Sequence, residues 1–221
     1  MIPVLTIDGP SGVGKGTVAR LVAQTQGWHL LDSGAIYRAF ALAVDAKGVS
    51  TTDESGLVEI AKTLELEFRT EPGSELVSVY LDGKEVSDVL RTEQTGEMAS
   101  KIASIGAVRA ALLKRQQDFA QAPGLVADGR DMGTVVFPDA PFKVYLTASA
   151  QERANRRLKQ LQVAGHEGII SQILAEVEAR DQRDSSRKHS PLKPAEDALV
   201  IDTTNLSINE VITQVMNLVK A

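Results

Sequence analysis

The run Gly9-Pro10-Ser11-Gly12-Val13-Gly14-Lys15-Gly16-Thr17 fixes more about this chain than any other stretch. It follows Val4 to Ile7, a β-branched-rich run that reads as a buried strand. It precedes a helix expected over Thr17 to Ala23 and closed by Gly27. A Gly-x-x-x-x-Gly-Lys spacing between strand and helix is a cradle for phosphate groups. The glycines let backbone N–H groups turn inward, the helix N-terminus adds partial positive charge, and Lys15 adds a full one. Away from a strand–helix junction the same spacing would be an ordinary glycine-rich turn. One residue departs from the general pattern. Ser or Thr usually follows the Lys, whereas here Gly16 stands there and Thr17 comes next. The usual hydroxyl ligand for Mg²⁺ is therefore absent from that position, which leaves Thr17 to bind a phosphate oxygen or to act through water.

Strands and helices alternate along the rest of the chain. Further strands are expected over Trp28 to Leu31, Gly124 to Ala127, Phe142 to Leu146 and Ala198 to Ile201. Helical patterning covers Ala35 to Ala46 (ended by Gly48), Leu57 to Leu66, Glu93 to Ile105, Ala107 to Ala120, Gln151 to Val163, Ile169 to Arg183 and Ile208 to Val219. Such alternation implies right-handed βαβ units and a parallel sheet, an α/β architecture. One stretch differs in texture. Leu76 to Leu81 alternates in strand fashion, Asp82-Gly83 is a hairpin signal, and Lys84-Glu85-Val86 follows, so a small antiparallel insert is expected at about residues 64–89. There is no internal repeat or low-complexity linker. Asp184 to Pro194, polar and with two prolines, reads as a mobile loop.

In open α/β sheets ligands bind beyond the carboxyl ends of strands. Three polar clusters fall there: Asp8 with the glycine loop, Asp32-Ser33-Gly34 with Tyr37-Arg38, and Asp128-Gly129-Arg130-Asp131. Each has a plainer reading, since Asp32 or Ser33 could cap a helix and Asp128-Gly129 could be a turn. Their common placement favours a site. An arginine-rich zone follows: Arg153, Arg156 and Arg157, then Arg180, Arg183 and Arg187. On a continuing helix Arg180, Asp184 and Arg187 would share one face. A solvated salt-bridged face is the ordinary explanation. Planar guanidinium groups also suit phosphate oxygens, and the zone ends in a loop as a closing lid would. His29, His166 and His189 read as structural or surface residues, and no metal cluster or nucleophile–base pair is visible.

Composition narrows the classes. The 221 residues suit one domain. The net charge of −5, without long runs of one sign, disfavours a nucleic-acid surface. Cysteine is absent, which excludes disulfides and thiolate metal sites and fits a reducing cytoplasm. No window approaches the roughly 20 apolar residues of a membrane helix, and the N-terminus lacks the marks of a signal peptide.

These stretches together resemble the bacterial-type cytidylate kinase family within the P-loop nucleoside-monophosphate kinases. The resemblance is carried by Ile7 to Thr17, Leu31 to Arg38, Ala127 to Pro138, Arg180 to Asp184 and Ile201 to Thr204, in the family's order over nearly the whole chain. It implies a P-loop kinase fold: a parallel five-stranded sheet flanked by helices, a small antiparallel β insert in the monophosphate-binding region, and a helical arginine-rich lid. It implies one kinase domain, with the core at 1–32, 104–150 and 192–221, the monophosphate-binding region at 33–103 and the lid at 151–191. It implies transfer of the ATP γ-phosphate to CMP or dCMP, with Mg²⁺, in a cytoplasmic monomer that binds neither nucleic acid nor membrane.

By the same resemblance, Gly9, Pro10, Ser11, Gly12, Val13, Gly14, Lys15, Gly16 and Thr17 bind the ATP phosphates. Lys15, Arg130, Arg157 and Arg187 are the cations of the transfer. Ser33, Arg38, Arg130 and Arg187 hold the acceptor phosphate or its surroundings, Ser100, Arg109 and Asp131 read the cytosine edge, and Arg180 and Asp184 meet the sugar. The family shares Gly16. Other classes stay open on the residues alone: a P-loop kinase with another acceptor, or a nucleotide-dependent switch. The switch lacks a guanine-selective Asn-Lys-x-Asp pattern. A DNA- or RNA-modifying ATPase is disfavoured by the acidic balance.

Overall fold

The computed structural model describes residues 2–70, 77–90, 92–163, 165–187 and 190–220. The expectations for residues 71–76 of the hairpin insert and for Lys188 and His189 of the polar loop fall outside them. The chain forms two compact units, residues 1–31 with 117–221, and residues 32–116.

The first unit is built on a five-stranded parallel sheet. Its strands are β1 (Val4–Asp8), β2 (His29–Asp32), β6 (Leu125–Asp128), β7 (Phe142–Thr147) and β8 (Leu199–Asp202), in the order β2-β6-β1-β7-β8. Registers run Ile7 against Asp128, Asp8 against Tyr145, and Thr147 against Asp202. β1 and β6 are buried along their whole length, as continuous apolar runs in a parallel sheet should be. The chain leaves β1 toward β2 on one side, whereas β6 to β7 crosses β1 to the other. The loop after β1 therefore opens where the connections diverge, the usual ligand position of such sheets.

Among the described residues this unit carries the α-helices α1 (Lys15–Gln26), α7 (Ala150–Val163), α8 (Ile170–Ser185) and α9 (Ile208–Lys220). Val18, Ala19, Val22 and Ala23 form the buried stripe of α1 and join Leu5, Ile7, Val126, Val144, Leu146, Val211 and Val215 in one core. Gly27 ends α1 in the left-handed region at φ 64°, with Trp28 N–H bonded to the Ala23 carbonyl at 2.9 Å. Among the described residues no helix is long and apolar enough to cross a membrane.

The second unit holds α2 (Ser33–Ala46), α3 (Glu54–Thr63), β3 (Leu66–Thr70), β4 (Val77–Leu81), β5 (Lys84–Glu85), α4 (Ser87–Leu90), α5 (Glu93–Ile102) and α6 (Gly106–Gln117), the last ending at the unit's boundary. The three strands form the expected antiparallel insert, order β3-β4-β5. Asp82 (φ 49°) and Gly83 (φ 74°) both take positive φ, the turn that joins β4 to β5 without splaying them. Val79 and Leu90 pack on Ala39, with Leu42, Leu66, Phe68 and Val86 against them.

The five sheet strands and the longer helices follow the order read from the sequence with boundaries shifted by a few residues, whereas β3 has no counterpart among the expected strands. The helix expected over Leu57 to Leu66 lies instead at Glu54–Thr63. Asp53 caps it by accepting from Gly56 N–H at 3.0 Å, and Leu64 is already extended. The short α4 was not anticipated. α8 stops at Ser185, so Arg187 lies beyond the helix and not on its face.

Candidate active site

Because β1 ends at Asp8, the glycine loop must turn at once. A Cβ on Gly9 would stand 2.1 Å from the Leu146 carbonyl oxygen, so only glycine fits. Gly14 enters α1 at φ 96° with no side-chain cap, which leaves the first N–H groups of the helix facing the loop's concavity. Lys15 is buried, and its Nζ donates to the Pro10 carbonyl at 2.8 Å. Gly16 lies beside Asp128: a Cβ there would stand 3.4 Å from Asp128 Oδ2, an ordinary contact distance, so crowding alone does not require glycine.

Lys15 sits among opposing charges. Burial pushes its pKa down to about 8, with Asp128 and Asp8 pulling it back up and Arg130 and Arg180 adding to the fall. The lysine is a cation at neutral pH and loses its proton as pH rises through about 8. The kcat/KM for ATP, which reports the free enzyme, should therefore decline through that range. The kcat should hold to higher pH, because bound phosphates raise the lysine's pKa. Rates measured from about pH 6 to about pH 10 check this, and a flat kcat/KM profile would contradict it.

Asp8 is buried at the end of β1. Burial raises its pKa to about 7, against the pull of N–H groups from Gly133 and Met132; Asp131 pushes it further up and Lys15 pulls it down. Those N–H groups belong to a wide turn, Met132–Val136, in which Phe137 N–H reaches the Met132 carbonyl at 2.7 Å. Turns with this i to i+5 bonding are rare and often mark functional sites.

The arginine zone divides in two. Arg153 on α7 is buried, donating to the Ser11 carbonyl at 3.3 Å and the Ala148 carbonyl at 3.1 Å and pairing with Asp181 of α8. Arg156 donates to the Val13 carbonyl at 3.4 Å and the Thr203 carbonyl at 2.6 Å. When loop amides turn inward, their carbonyls turn outward and need donors. These two arginines supply them, so they hold the loop's back and not its concave face. Arg157 is half-buried on the same helix, and Arg183 is exposed.

The second group centres on Asp184, which is 1% exposed. Arg130 Nε donates to Oδ2 and Arg187 Nη2 to Oδ1, each at 2.5 Å. Burial alone would raise the Asp184 pKa, but Arg130, Arg187 and Arg180 outweigh it and hold the carboxyl below the usual range. Thus Arg130, Arg180, Asp184 and Arg187 come together in one network, while Asp131 is buried beside Arg130.

In the second unit, Asp32 caps α2 by accepting from Ala35 N–H at 2.9 Å, so its plainer reading holds. Ser33, buried, donates to Gln116 Oε1 at 2.7 Å. Arg38 is half-buried on α2 and Ser100 is buried on α5. Arg109 on α6 stacks its guanidinium over the Tyr37 ring at 5.4 Å and donates to the Ala103 carbonyl. His29 begins β2 with Nε2 3.0 Å from the Ala122 carbonyl, and His166 is exposed.

The sequence places Asp128 in a strand-end cluster without a role of its own and Arg153 among arginines suited to phosphate, and it gives Asp181 no role. A signal existed for the first: β1, β2, β6 and β8 each end on Asp. Among the described residues no three of His, Cys, Asp and Glu cluster to hold a metal. A single carboxylate beside a phosphate loop nevertheless fits Mg²⁺, which keeps its waters and relies on substrate phosphates.

The family model described as Cytidylate kinase matches residues 5–221. A cytidylate kinase of Aeromonas hydrophila is 55% identical over 98% of this chain and 93% of its own length. The cytidylate kinase of Aliivibrio salmonicida is 53% identical over 99% and 97%, and that of Pseudomonas aeruginosa 54% identical over 97% and 94%. With a glycine loop, a buried lysine and the arginine–aspartate network already in place, the match extends to the chain as a whole: it belongs to the cytidylate kinase family.

Proposed function

We propose that this chain transfers the γ-phosphoryl group of ATP to CMP or dCMP, giving ADP and CDP or dCDP. The observation that carries the reading is a buried lysine inside a glycine loop whose helix N-terminus has no side-chain cap, in a chain of this family. Residues Gly9 to Thr17 bind the ATP phosphates, with Lys15 turning from the Pro10 carbonyl to a phosphate oxygen. Asp128 would hold Mg²⁺ together with those phosphates, and the ion would neutralise charge on the transferring group.

The nucleophile is an oxygen of the acceptor's own phosphate, already anionic near neutral pH. No general base is needed. Catalysis reduces to aligning two anions and stabilising spread negative charge. Lys15, Arg130, Arg157 and Arg187 serve as the cations, and Arg130 and Arg187 exchange the Asp184 carboxylate for phosphate oxygens. Arg180 and Asp184 meet the sugar. Residues 151–191 act as a lid that keeps water from taking the γ-phosphate. Ser33 and Arg38 serve the acceptor phosphate.

Cytosine presents an amino donor and a ring-nitrogen acceptor. Asp131 complements the first and Arg109 the second, with Ser100 beside that edge. Asp131→Ala should lower kcat/KM for CMP by about one to two orders of magnitude, since a buried donor is left unpaired. Unchanged activity with CMP would remove Asp131 from the site. An ADP-release assay across CMP, dCMP, UMP and AMP tests the whole reading. The cytosine nucleotides should lead, and equal or better turnover of AMP would overturn it.

A further inference from the structure

We propose that Asp8 is a positioning residue for acceptor choice: its carboxylate places Asp131, and through it sets discrimination among nucleoside monophosphates. This rests on the reading of Asp131 as the group that meets the cytosine amino donor.

The first N–H groups of any helical turn lack partners within it and need a cap. The turn Met132–Val136 begins directly after Asp131, which is the natural capping position, yet the Asp131 side chain makes no capping bond. The cap comes instead from Asp8, which lies 124 residues from Met132 along the chain. Its Oδ1 accepts from Met132 N–H and its Oδ2 from Gly133 N–H, both at 2.8 Å. On the other side, the Asp131 carbonyl accepts from Val135 N–H at 2.9 Å and Val136 N–H at 3.2 Å. The backbone of Asp131 is thus held from both directions, and its carboxylate is not used to cap its own turn.

The seat is close. A Cβ on Gly133 would stand 2.8 Å from Thr6 Oγ1 and 3.3 Å from Lys143 Cδ, so a side chain there would force these neighbours or the turn to shift. Thr6 Oγ1 is buried and has no hydrogen-bond partner among the described residues. It fills space at this contact without tying anything, whereas Asp8 ties two donors at once. An asparagine in place of Asp8 offers one acceptor and one NH₂ group, so one amide of the turn would face a donor.

The ratio of kcat/KM for CMP to that for UMP separates positioning from mere support, because a general loss of folding lowers both rates together. Asp8→Asn should reduce this ratio by about tenfold or more, the scale expected when a recognising group shifts by a fraction of an ångström. The ratio is read at saturating ATP, because Asp8 also supports the charge of Lys15 and its loss can change ATP affinity. Gly133→Ala, whose Cβ would meet Thr6 two residues from Asp8 on β1 and push the turn away, should reproduce the fall, and adding Thr6→Ala should restore much of the ratio, with only the flexible Lys143 Cδ at 3.3 Å left to shift. If Asp8→Asn fails to fold, the Gly133→Ala pair decides alone. A preserved ratio in folded Asp8→Asn or in Gly133→Ala overturns the proposal. Asp131→Ala runs beside them. Should that variant keep the wild-type ratio, the reading of Asp131 itself fails. Should it lose the ratio while Asp8→Asn keeps it, only the positioning role fails.

Discussion

Lys15→Ala should lower kcat by about three orders of magnitude while the protein remains folded. The size follows from the environment. Lys15 is buried at the start of α1 with its ammonium on the Pro10 carbonyl, inside the curve that the loop amides line. A cation in such a place meets charge at low effective dielectric and needs no reorganisation when the γ-phosphoryl group moves. Stability should change little. Burial works against the charged lysine, as its depressed pKa records, so removing it relieves a cost that offsets the lost hydrogen bond. Single-turnover transfer and a thermal melt check the two halves. Near-normal turnover in a folded Lys15→Ala protein would end the phosphate-loop reading.

Asp184→Ala should damage both stability and acceptor use. The carboxylate is buried and accepts from Arg130 and Arg187, whose side chains are 20% and 6% exposed. Removing one member of a buried ion pair costs about 3–5 kcal/mol, because the remaining charges lose their partner. The lower end is expected here, since Arg130 keeps some access to solvent. The pH dependence supplies a sign. The Asp184 pKa is depressed in the folded protein, so its contribution is present above the unfolded value of about 4 and is lost as pH falls through the folded one. The variant should therefore be less stable at neutral pH and should lose less on acidification. Urea unfolding at neutral and acid pH measures this. The kcat/KM for CMP should fall with it, and a variant as stable and as active as the parent would remove Asp184 from the network.

Much of this architecture is legible in the sequence because it is written locally. Short β-branched runs flanked by glycine and aspartate gave the strands, and Asp82-Gly83 announced the hairpin through its need for positive φ. What was not legible depends on distant partners. Arg153 and Arg156 look like phosphate ligands until the outward carbonyls of Ser11 and Val13 come within their reach. Nothing near residue 153 or 156 announces those carbonyls, 142 and 143 residues away. The turn at Met132–Val136 is too short to leave a hydrophobic period, and its cap, Asp8, belongs to another element. The spacing puts Arg187 on a continuing helix face, whereas α8 ends two residues earlier and the side chain returns to Asp184 from beyond the end.

The absence of a side chain at position 16 also carries a message for the history of such chains. A serine or threonine introduced there would set its Cβ 3.4 Å from Asp128 Oδ2, which puts its hydroxyl within reach of a group that the proposed function gives to Mg²⁺. The two positions are therefore not independent letters. A lineage that restored the hydroxyl at 16 would bring a donor and a possible metal ligand to the Asp128 carboxylate, and residue 128 would then be selected in its company. Pairwise co-variation of these two columns, and not the identity of either alone, should then mark where this version of the loop begins and ends among related kinases.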